Sequence, residues 1–281
     1  MTIELISIVP HVPSMCYKDS VPEFQQDMAE AMEQLGEKLK QLKPDAIVLV
    51  SCHWPSTFFH YVDATPLHKG VLTSYEAPDL IKDVPYEYLG DADLANELVQ
   101  AAEQQEMHVV AVDDPYFVWD YGSVVPLRYL NPDGDIPVVN LSVTLAATLE
   151  ETYKWGTVIK EVLQKSEKRI VFLASGALSH CLVRGRHNKP TFSEHALDKQ
   201  FMDFMLRENF EDAYKMLPQY ASMAKVESGG RHLAMLISLL EKGSNPQFLA
   251  SGQSSGSWNV VMTFTSKKIE IEPPLTEESM V

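Results

Sequence analysis

Ala46-Ile47-Val48-Leu49-Val50-Ser51-Cys52-His53-Trp54 is an apolar run, rich in Val, that gives way to a histidine. An apolar residue at nearly every position, rather than at alternate ones, marks a strand with both sheet faces covered. Upstream, Phe24, Met28, Met32, Leu35 and Leu39 recur every three to four residues and predict an amphipathic helix that stops at Pro44. Ser20-Val21-Pro22-Glu23 has capping-box form at its start. The same alternation runs along the chain, with strands expected at 3–9, 108–112, 136–143, 169–175 and 258–264. Helices are expected at 91–106, with Asp91 as N-cap, and at 150–165, 193–206 and 230–240. Residues 58–88 show no clean period and read as a long excursion, a feature usually tied to function. Such βαβ order predicts an α/β fold: a single domain over 1–281 with a central, largely parallel or mixed sheet covered by helices on both faces, and 266–281 as a surface arm.

The 281 residues carry 23 Lys+Arg against 39 Asp+Glu, a formal charge of −16. That balance argues against nucleic acid and against an anionic membrane surface as partners. Cys16, Cys52 and Cys181 are scattered and odd in number, which excludes a disulfide framework or a thiolate zinc site and fits a reducing cytoplasm. No stretch approaches the ~20 apolar residues of a spanning helix, and the first residues lack the form of a secretory signal. A cytoplasmic protein is expected.

In an α/β sheet, ligands bind beyond the carboxyl ends of the strands. Reading just past three strand ends gives Pro10-His11-Val12-Pro13, Ser51-Cys52-His53-Trp54 and Gly176-Ala177-Leu178-Ser179-His180. One strand-end histidine is most often a loop residue with a single hydrogen bond, but three at one edge form a constellation. His60 is a further candidate for that region, whereas His68, His108, His187, His195 and His232 read as surface or structural. Two neutral imidazoles and one carboxylate, with positions left open, suit non-haem Fe(II). By residue type alone the carboxylate stays open among Glu227, Asp113, Asp114 and Asp120, and Glu227 also reads as an acid at a helix N-terminus. Ser251-Gly252-Gln253-Ser254-Ser255-Gly256 lacks a P-loop ending and reads as a flexible loop.

These stretches, with Gly70 to Pro78, Tyr121 to Asn131, and Met216-Leu217-Pro218-Gln219-Tyr220 leading to Glu227, resemble the class III (LigB-type) extradiol ring-cleavage dioxygenases. They run in family order from about residue 3 to 264. The resemblance implies that His11, His53 and Glu227 bind one Fe(II) and that His180 is the acid/base beside it. Some relatives carry a second histidine before the glycine at 122; here Tyr121 stands there and is expected to be a pocket donor. His60 is expected to hydrogen-bond a substrate or oxygen atom.

The implied activity is cleavage of a catechol beside its diol with O2, giving a muconic semialdehyde, with 3,4-dihydroxyphenylacetate as the leading substrate and homo-oligomeric assembly. Lys43-Pro44-Asp45, Trp54 and Asp120-Tyr121-Gly122 also match family members that open 2-aminophenol, the alternative substrate. A substrate carboxylate would need a local cation, for which Arg128, Arg184, Arg186 and Arg231 are candidates. More distant readings are a non-catalytic LigB-like binding protein and a zinc hydrolase, the latter favouring more strand-end aspartates.

Overall fold

The computed structural model describes residues 3–265; the surface arm expected at 266–281 lies outside the described residues. The strands in chain order are β1 (Ile3–Val9), β2 (Ala46–Ser56), β3 (His60–Asp63), β4 (Leu67–Leu72), β5 (Val84–Leu89), β6 (Val109–Val112), β7 (Val138–Thr144), β8 (Ile170–Ser175), β9 (Pro246–Ser254) and β10 (Ser257–Thr265). The helices are α1 (Gln26–Leu42), α2 (Ala92–Glu103), α3 (Tyr121–Leu130), α4 (Leu149–Lys165), α5 (Phe192–Leu206), α6 (Phe210–Met223) and α7 (Arg231–Leu239).

Eight strands form one mixed sheet in the order β6-β3-β7-β2-β8-β1-β10-β9. The central set β7-β2-β8-β1 is parallel; β3 joins β7 antiparallel, and β10 joins β1 antiparallel. Side chains alternate across this centre. Ile6, Ile8, Val48, Val50, Phe172 and Ala174 pack towards α2, α4, α6 and α7, whereas Leu5, Val9, Ile47, Leu49, Val171 and Leu173 pack towards α1 and α3. Both faces are therefore dry, which is why these strands read as unbroken apolar runs. Among the described residues no helix is long and apolar enough to cross a membrane, and all three cysteines are free.

Three local expectations need correction. Ser20 does not cap α1: its hydroxyl donates to Tyr17 O, and the helix is entered through a short 3-10 turn at Glu23–Gln25. Pro22 explains the difference, because it holds Val21 extended (φ −63°, ψ 126°) and delays the first helical turn. The stretch 251–256 is no loose loop but the end of β9 and a tight reversal at Ser255-Gly256, both left-handed (φ 52° and 87°), into β10. The excursion at 58–88 contains β3 and the β4–β5 hairpin. Tyr86 and Tyr88 of that hairpin stack on Trp119, and Tyr86 Oη accepts from Trp119 N at 2.7 Å. Those contacts seat the chain immediately before Asp120 and Tyr121.

Candidate active site

Parallel register aligns β1, β2 and β8. Val9 and Ser51 both lie level with Ser175, and His11 follows two residues beyond the end of β1. His53 lies two residues on from Ser51 within β2, which runs to Ser56 past a register shift rather than ending before the histidine. The third component arrives from far along the chain. After α6, residues 224–226 lead to Glu227, whose N–H donates to Leu178 O and whose neighbour Ser228 donates its hydroxyl to Cys52 O. Ser228, Gly229 and Gly230 are consecutively left-handed (φ 49°, 63° and 78°), a sharp reversal that only glycine adopts without cost at two of the three positions. Glu227 is therefore not a helix cap; its side chain turns inward to the histidines.

His11 Nε2 lies 3.1 Å and His53 Nε2 3.2 Å from the same Glu227 oxygen, Oε1. The other oxygen, Oε2, accepts from Ala177 N at 2.5 Å. One ligand atom from each of His11, His53 and Glu227 falls within 4.8 Å of the others. Burial opposes the charge on Glu227, yet the adjacent His11 and His53 hold its carboxyl well below the usual range. Burial also opposes protonation of His53, but the Glu227 carboxylate outweighs it and raises that imidazole's pKa.

The hydrogen-bond network assigns a tautomer. Ser175 Oγ donates to Gly122 O at 2.5 Å, so its oxygen is left to accept from His11 Nδ1–H at 3.0 Å. A neutral His11 then turns the Nε2 lone pair towards a carboxylate oxygen, which is repulsive unless a proton or a metal ion lies between them. Two imidazole nitrogens and a carboxylate oriented in this way form a donor set that fits Fe(II). Losing the hydroxyl in Ser175→Ala is expected to weaken metal binding by about 10–100-fold, read by competition with a chelator. Unchanged affinity would mean that Ser175 does not orient the ligand.

His11 and His53 line a cavity of about 500 Å³ together with His180, Tyr121 and Glu76, while Glu227 lies buried against the two imidazoles. His180 Nε2 is 4.0 Å from Glu227 Oε1. Burial lowers the His180 pKa against the opposing pull of Glu227, keeping its ring neutral near pH 7 and able to accept a proton. Its backbone is fixed on both sides: His180 N donates to Ala224 O, and Ser179 gives both its N–H and its hydroxyl to the buried carboxylate of Asp198. Tyr121 lies with its ring centroid 3.9 Å from that of His53 and donates its hydroxyl to Glu76 Oε2 at 2.7 Å. Burial and the Glu76 carboxylate push its pKa up, so the phenol stays a donor.

His60 is not brought to this cavity. It shares a face of β3 with Val62 in the core beside α2 and α4, with Nδ1 2.9 Å from Thr144 Oγ1 and its ring against Trp155. Burial lowers its pKa to about 4. Among the competing carboxylates, Asp120 caps α3 and accepts from Ser51, while Asp114 accepts from the Tyr116 N–H. Sequence reasoning assigned no role to Glu76 or Asp79. Both lie in the turn region between β4 and β5, where no periodicity announces them.

The mixed α/β fold thus gathers His11, His53 and His180 at one edge of the sheet around the buried Glu227. The chain belongs to the family described as the catalytic LigB subunit of aromatic ring-opening dioxygenase, which matches residues 5–263. It is 25% identical over 271 residues to a 3,4-dihydroxyphenylacetate 2,3-dioxygenase of Escherichia coli, covering 92% of this chain and 98% of that one. It is 26% identical to a 2-aminophenol 1,6-dioxygenase beta subunit of Pseudomonas sp, covering 92% and 95%. An uncharacterized protein of Escherichia coli K12 shares the fold, with a TM-score of 0.68 at 19% identity over 93% of this chain and 99% of that one. The family and the named relatives are ring-opening dioxygenases, and the protein is a ring-cleaving dioxygenase rather than a hydrolase.

Proposed function

We propose that the protein is an Fe(II)-dependent extradiol dioxygenase that opens a catechol beside its diol with O2 to a muconic semialdehyde, with 3,4-dihydroxyphenylacetate as substrate. The observation that carries this reading is the convergence of His11, His53 and Glu227 within 4.8 Å on a cavity that also holds His180. Bound there, Fe(II) would supply the positive charge that lowers the pKa of a catechol hydroxyl and the place where diol and O2 meet. The protein's own groups do the rest. His180 Nε2 faces the same space as the Glu227 oxygen and takes the hydroxyl proton, later returning it to the developing oxygen of the opened ring. Tyr121 closes one side of the cavity and presents a protonated phenol. To this reading belong the homo-oligomeric assembly that the resemblance implies and a cytoplasmic setting, supported by three free cysteines.

A second reading, ring opening of 2-aminophenol, is supported by the Glu76 carboxylate near His53 and by the likeness to the aminophenol enzyme's subunit. One panel separates the two. Protein loaded anaerobically with Fe(II) is given 3,4-dihydroxyphenylacetate, catechol or 2-aminophenol, then O2. A yellow product from the arylacetate, formed fastest of the three, is expected. Preference for 2-aminophenol would install the second reading, and no ring opening of any of them would reject both.

A further inference from the structure

The four arginines that could meet a substrate carboxylate are in very different positions. Arg128 donates to Cys16 O and covers the Tyr17 ring. Arg231 spends its guanidinium on the carbonyls of Leu145, Ala147 and Ser228. Arg184 is exposed and does not line the cavity. Arg186 does line it, and among the described residues no other Lys or Arg does.

Arg186 also stands on a firm base. Its carbonyl accepts from Ser255 N, Val183 N donates to Ser255 O, and Gly256 N donates to Asn188 O. The 183–188 segment is thus tied at three points to the tight β9–β10 reversal. Across the mouth, Arg186 Nη2 meets Asp79 Oδ2 at 2.6 Å, and both side chains are largely open to solvent (47% and 67%). An exposed pair of this kind is screened and weakly held, so a second carboxylate can replace the first at little cost. A planar guanidinium matches a carboxylate with two parallel donors. With a chain charge of −16 and with Glu76 and Asp79 beside the opening, Arg186 is, among the described residues, the one Lys or Arg on the cavity wall that could hold a substrate carboxylate.

We propose that Arg186 is the specificity-determining residue of the site: it exchanges Asp79 for the side-chain carboxylate of the substrate. The substrate class is then a monocyclic ortho-diol carrying a short anionic arm. This rests on the ring-cleavage reading above and assigns the residue that would recognise the carboxylate of the substrate proposed there.

The test compares 3,4-dihydroxyphenylacetate with 4-methylcatechol, which keeps the diol and lacks the carboxylate, on wild type, R186A, R186K and D79N. Two measurements are made: kcat/KM with Fe(II) and O2, and equilibrium binding to protein loaded with Zn(II), which does not turn the diols over. In R186A the ratio of arylacetate to methylcatechol is expected to fall by at least about tenfold in both measurements. R186K is expected to fall between R186A and wild type, and D79N to raise the ratio. A ratio unchanged in R186A, or affinities for both diols falling in parallel, overturns the assignment. If the iron-loaded wild type opens neither ring, the proposed activity fails, and the Zn(II) binding ratio still decides the role of Arg186.

Discussion

His53→Ala is expected to abolish ring opening and to strip the protein of iron. Its Nε2 is one of two imidazole nitrogens on the same oxygen of Glu227, so its loss leaves only His11 and the carboxylate to hold a metal. Groups that merely orient a metal ligand cost about 10–100-fold in affinity, and a ligand itself should exceed that range. Iron per chain after desalting should fall to background, and product formation with it. The ring is part-exposed at the cavity floor, so the far-UV spectrum should match wild type and separate lost chemistry from lost folding. Full iron content together with full turnover would remove His53 from the site.

His180→Gln should give a different signature. His180 stands 4.0 Å from Glu227 and is held through its own N–H and through Ser179 on Asp198, so it is positioned without belonging to the three-residue cluster. Removing a positioned acid/base typically costs about 10²–10⁴-fold in rate. Iron content should stay at the wild-type level while kcat falls within that range. A variant that keeps its kcat would take proton transfer away from His180. Set side by side, the two variants separate metal holding from proton handling.

The parts of the fold that could be read were those in which one periodicity speaks alone. The parallel strands β1, β2, β7 and β8 are apolar on both faces, and α2 starts where Asp91 accepts from Leu94 N. The helices missed were α3 and α6, each with an internal proline, Pro126 and Pro218, that reads as a breaker until tertiary packing overrides it. The β9–β10 reversal was hidden by a Ser/Gly composition that suits a loose loop as well as a left-handed turn. In the site, strand-end placement pointed to His11, His53 and His180 because it follows from sheet geometry. Glu227 has no such logic, since it sits on a left-handed reversal after an unread helix, and only the resemblance singled it out. His60 went astray because β3 was not read as a strand; alternation with Val62 turns it into the core.

The separation of 216 residues between His11 and Glu227 bears on how the enzyme is made. While the ribosome is still extending the chain, the amino-terminal histidines have no carboxylate to close the set, and β1 lacks its neighbour β8 until more than half the sequence has emerged. Long-range closure of this kind comes late in folding. A metal ion held by His11, His53 and Glu227, as proposed, would therefore not organise the chain early in the way that zinc organises a small finger. On the proposed reading the fold forms first, and the metal then meets a site already shaped by hydrogen bonds, a stabilising guest rather than a scaffold.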